Sequence, residues 1–100
     1  MTNEQAKQKE IEYLTKIRTL DFKLEYLAGE WLDIDETIKK KSLCESQYRD
    51  LKDRQKKLEE EIAKVKQEQF ELENDYKTFK EKWREALLKI YENRYQKNAN

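Results

Sequence analysis

The residue types that usually carry catalysis are scarce in this chain. It has no histidine, so the commonest general base and metal ligand is missing. A single cysteine, Cys44, cannot build a zinc site. A single glycine, Gly29, cannot form a phosphate-cradling loop. Carboxylates are abundant, but the run Glu59, Glu60 and Glu61 reads as the solvated face of a helix. No enzyme activity, metal or cofactor is expected. The chemistry left is the burial of apolar surface, and it concentrates toward the C-terminal end. Tyr76, Phe79, Trp83, Leu87, Ile90 and Tyr91 recur at helical spacing, with Ala86, Leu88 and Tyr95 alongside. Tryptophan and tyrosine are the usual anchors of protein interfaces, so these six are the candidate partner-binding residues. The blander reading makes them wide core residues of a self-associating coil.

Elements that could present such a face must be helical. From Tyr13, steps of four and three land on Ile17, Leu20, Leu24, Leu27, Trp31, Ile34 and Ile38, all apolar. That is a heptad seam of period 3.5, with d at Tyr13, Leu20, Leu27 and Ile34 and a at Ile17, Leu24, Trp31 and Ile38. Gly29 lies between core positions and does not disturb the register, so it weakens the helix without ending it. A second seam has a at Tyr48, Gln55, Ile62, Gln69, Tyr76, Trp83 and Ile90. Its d positions are Cys44, Leu51, Leu58, Val65, Leu72, Phe79 and Ala86. Only Gln55 and Gln69 are polar; their amides either reach the rim or fix the register.

The two seams lie in different frames, because Ile38 and Tyr48 are ten residues apart where seven would keep the phase. A continuous helix would carry a stammer and assemble in parallel, with two Cys44 thiols facing each other. A bundle broken near Gly29 is a further possibility. A chain reversal accounts for more. Ser42 and Glu45 read as a capping box, and Lys39, Lys40 and Lys41 suit the end of the helix before it. Pairing residues whose numbers add to 82 makes every layer a/d, from Ile38 with Cys44 to Tyr13 with Gln69. It also sets the acids Asp21, Glu25, Glu30, Asp33, Asp35 and Glu36 beside Arg49, Lys52, Arg54, Lys56 and Lys57. The expected fold is all-α: a long coiled coil, as an antiparallel helical hairpin with a protruding C-terminal helix. Residues 1–100 form a single unit, with helix 1 at about 5–40, the turn at about 39–43 and helix 2 at about 43–96. In this register residues 73–96 have no partner helix, and Cys44 packs on Ile38.

Composition agrees. Charged residues make up 44% of the chain, far above a compact globule, while 11% aromatics argue against disorder. The 22 basic and 22 acidic residues cancel, so no overall field draws in nucleic acid or an anionic membrane. No apolar run is long enough to span a bilayer. The opening MTNEQAKQKE has no signal-peptide character, and one cysteine gives no disulfide framework, so a cytoplasmic location is expected. The expected function is a non-enzymatic coiled-coil interaction subunit, structural or adaptor in kind. It would bind a second copy or another helical protein. A small helical inhibitor that occludes a macromolecular target is the alternative, and a nucleic-acid-binding coil comes third.

Overall fold

The computed structural model describes residues 2–99, with side chains through residue 94. Two helices account for nearly all of it: α1 (Asn3–Lys40) and α2 (Glu45–Ala99). They lie side by side and antiparallel in a rod of 84 × 18 × 17 Å. The architecture is an all-α helical hairpin.

Each helix end has a local cause. α1 begins at Asn3, slightly ahead of the expected start and ten residues ahead of Tyr13, because Thr2 and Gln5 form a capping box. The Gln5 N–H donates to Thr2 Oγ1 (3.2 Å), and the Thr2 N–H donates to Gln5 Oε1 (3.0 Å). At the other end Lys41 turns extended (φ −104°, ψ 141°) while its N–H donates to the Thr37 carbonyl (3.1 Å). An extended exit needs no left-handed residue, which is why Lys39–Ser42 can end a helix without glycine. The capping box expected at Ser42 and Glu45 does not form as read. α2 starts at Glu45, and Cys44 holds the cap position: its carbonyl accepts from the Tyr48 N–H (3.0 Å), and its N–H donates to Gln47 Oε1 (3.3 Å). Cys44 is therefore exposed at the tip and does not pack on Ile38.

The register also differs from expectation, by one heptad. Besides a hydrogen bond between Tyr76 and Glu10, three polar links join the helices: Trp31 Nε1 donates to Glu59 Oε1 (3.0 Å), Gln55 Nε2 to Asp35 Oδ1 (3.2 Å), and Gln69 Nε2 to Asp21 Oδ1. In all three the residue numbers add to 90, and the stacked rings of Tyr13 and Tyr76 add to 89. The apolar layers then pair Ile38 with Leu51, Trp31 with Leu58, Leu27 with Ile62 and Leu24 with Val65. Leu27, Ile34, Leu58 and Val65 are the buried core, and Leu20, Leu24, Trp31, Ile38, Leu51 and Ile62 pack half-buried against it.

Two physical terms favour this register over the sum of 82. A one-heptad slip toward that sum would set Gln55 beside Ala28 and Gln69 beside Leu14, leaving two amides without an acceptor. It would also strip Tyr76 and Phe79 from Tyr13. The cost is a longer reversal, with the first turn of α2 standing beyond the last layer; Tyr48 is exposed there. Loop closure grows only slowly with length, so that cost is small. Charge pairing across the hairpin does not form as expected. Among the described residues the ion pairs run along single helices: Lys39–Asp35 (2.8 Å), Lys40–Glu36 and Arg49–Glu45 (3.2 Å).

Two measurements test this arrangement. In a Cys44→Ser background, cysteines at Leu24 and Val65 should be joined within one chain by a short thiol cross-linker. Cysteines at Leu24 and Leu58 should not be, and the reverse pattern would restore the register of 82. The second test is acid. The hydrogen bond from Lys39, then that from Gln55, hold the Asp35 carboxyl below its usual range. A lowered folded value means the stability is present above about pH 4 and is lost as pH falls through the folded value. The melting temperature should drop in that window, and the drop should be smaller in Asp35→Asn.

Candidate partner-binding surface

α1 and α2 close on each other at the open end of the hairpin through aromatic rings. Tyr13 stacks on Tyr76, with centroids 5.6 Å apart and planes at 24°, and meets Phe79 at the same distance and 37°. Offset ring pairs of this kind add about 0.5–1.5 kcal/mol beyond the area they bury. The Tyr76 hydroxyl donates to Glu10 Oε1 (3.1 Å). Burial first, and this hydrogen bond second, hold the Tyr76 phenol above the ordinary tyrosine range. Lysines cover the remaining ring faces: Lys9 Nζ lies 5.3 Å from the Phe79 centroid and Lys80 Nζ 4.5 Å from that of Tyr76.

The six candidate binding residues thus divide. Tyr76 and Phe79 belong to the hairpin's own seam, and the expected unpaired segment 73–96 is shorter than the sequence implied. The seam reaches further along α1 because the helix starts at Asn3. Ala6 is buried, and by the same pairing it falls level with Trp83, which is half-buried. Trp83 and Leu87 border an open groove of about 480 Å³ with Glu10, Phe79, Lys80 and Arg84. Past Ala86 the register finds no residue of α1 to pair with. Leu87 (42% exposed), Leu88 (54%), Ile90 (52%) and Tyr91 (67%) lie on this overhang of α2. Tyr95 lies outside the residues whose side chains are described.

A second apolar feature escaped the heptad reading. Ile11, Leu14, Phe22, Tyr26 and Leu32 stand exposed on α1 outside the a/d stripe, Leu32 at the edge of an open groove with Trp31 and with Glu59, Ile62 and Lys66 of α2. They occupy b, c, e and f positions, where a two-stranded coil is normally polar. Counting only a and d positions hides them; asking which outward positions are apolar would have found them.

Comparison of the chain with protein-family models, curated proteins and solved structures finds no match. Among the described residues no helix is long and apolar enough to cross a membrane, and no group of three metal-ligating side chains gathers.

The aromatic closure can be tested in isolation. Tyr13→Ala removes the ring that both Tyr76 and Phe79 contact, and should cost about 2 kcal/mol in chemical denaturation. Tyr76→Phe loses only the hydroxyl's bond to Glu10 and should cost about 0.5–1 kcal/mol. An unchanged midpoint for Tyr13→Ala would mean that this end contributes nothing to the fold.

Proposed function

We propose that the protein is a non-enzymatic helical-hairpin interaction subunit whose α2 overhang docks onto another helical protein. The observation that supports this reading is the row Leu87, Leu88 and Ile90, exposed on a helix that has outrun its partner. Neighbouring apolar side chains on an unpartnered helix mark an interaction site more often than scattered single ones do. Their spacing suits helix-in-groove recognition, in which one helix lays an apolar face into a hydrophobic groove. The hairpin's task is to hold that helix rigid and extended. Trp83 and Arg84 continue the same surface toward the aromatic closure, so a partner could meet a ring anchor and a cation at the edge of the docked face.

The double change Leu87→Gln and Ile90→Gln tests the reading, since it removes apolar surface from exposed positions and keeps good helix formers. Helicity and melting should match the parent chain, while proteins retained by the parent on an affinity column from native lysate should be lost. Retention of the same proteins at the same amounts would place the docking face elsewhere.

A further inference from the structure

The outward face of α1 has a spacing that reads the same in both directions. Ile11, Leu14, Arg18, Glu25, Gly29 and Leu32 are separated by three, four, seven, four and three residues, and Phe22 lies in the middle gap. At about 100° per residue they fall within one sector of the helix outside the a/d stripe, with Leu32 at its edge beside an open groove that reaches Glu59 and Ile62 of α2. A two-fold axis between residues 21 and 22 brings the mates into register with numbers adding to 43. Ile11 then meets Leu32 of a second copy, Leu14 meets Gly29, and Arg18 meets Glu25. Each pairing occurs twice, and the two Phe22 rings flank the axis. The same point is the midpoint of α1 (Asn3–Lys40), so the two α1 helices overlap along their whole length.

The pairs are complementary in charge and in size. Neither Arg18 nor Glu25 forms an ion pair among the described residues. Gly29 has no role inside the hairpin that its surroundings reveal: a Cβ built on it meets nothing within 4 Å, and its φ is negative. Glycine is nonetheless the poorest helix former after proline. A leucine arriving from outside gives it a purpose, as the notch into which Leu14 fits. Ile11, Leu14, Arg18 and Phe22 already border an open groove on this face, and Phe22 is 63% exposed in the single chain.

We infer that a second copy of this chain docks antiparallel on the outward face of α1, giving a two-fold four-helix assembly with both α1 helices inside and both α2 helices outside. This goes beyond the overhang reading and uses none of its residues. The two overhangs would project from opposite ends of the assembly.

The full chain in analytical ultracentrifugation tests it, with circular dichroism on the same samples. The parent protein should be a dimer. Arg18→Glu sets like charges together at two places, as does Glu25→Arg, so each should weaken the dimer about tenfold with unchanged helicity. The double exchange, Arg18→Glu with Glu25→Arg, should restore it. Gly29→Leu should raise helicity and yet weaken association, which no folding defect would do. Leu87→Gln with Ile90→Gln should leave the dimer intact, so failure of the overhang reading is distinguishable from failure of this one. A chain that stays monomeric at every concentration would overturn the inference. Single reversals that leave the dimer unchanged, or a double exchange weaker than either single change, would overturn the antiparallel pairing.

Discussion

A side-chain amide in a hydrophobic seam must find a partner, and this requirement fixes the hairpin. Gln55 is only 4% exposed, and leaving such a group unpaired costs about 1–3 kcal/mol. Its acceptor is Asp35, and two heptads further along α2 Gln69 has Asp21. The two aspartates are separated by the same fourteen residues as the two glutamines. A single slide therefore satisfies both amides together, and brings the Trp31 indole to Glu59 as well. A slip of one heptad toward the turn would face Trp31 with Lys52 and Glu59 with Leu24, so all three links fail at once. Apolar burial is nearly indifferent to whole-heptad slips over most of the seam. The polar links are not.

This division explains how much of the fold was legible. The seam Tyr13–Ile38 and the seam Leu51–Ala86 follow from spacing, since all but Gln55 and Gln69 of their a and d residues are apolar; the reversal follows from their different frames together with the layer pairing and the cap and lysines between them. The half-buried and buried residues of α2 from Leu51 to Ala86 fall at the a and d positions read from sequence. The choice among registers was not legible in that pattern, because every heptad shift keeps a facing d. The deciding signal lay at Asp21 and Asp35, positions flanking the seam that a count of apolar layers ignores. Charge misled for a related reason. The acids of 21–36 look like mates for the bases of 46–57, but among the described residues Asp35 and Glu36 are taken by Lys39 and Lys40 and Arg49 by Glu45, each one turn away on its own helix.

The candidate surface was legible in part. Reading Tyr76 to Tyr91 as one binding face assumed that α1 stops pairing near Tyr13. The Thr2–Gln5 capping box carries α1 on to Asn3, and the register moves Tyr76 beneath Tyr13. Two local facts thus divided one surface in two. The rings nearest the turn became structural, and the aliphatic residues beyond Ala86 were left exposed.

What the hairpin leaves uncovered follows from its thinness. Two helices meet along one stripe each, so even the best-buried side chains keep a residue of exposure, and Val65 retains 3%. A rod 18 × 17 Å across has no second layer to lay over the stripe. An ordinary two-stranded coil answers this with polar outward positions everywhere. α2 largely does so along its paired length, where Phe70 is the exposed large apolar residue between Tyr48 and the overhang. α1 does not: Ile11, Leu14, Phe22, Tyr26 and Leu32 give it apolar surface outside the a/d stripe. A helix apolar on two sides belongs in the interior of something wider than a hairpin. The asymmetry between the helices therefore carries its own structural meaning, with α1 the inner helix and α2 the outer one.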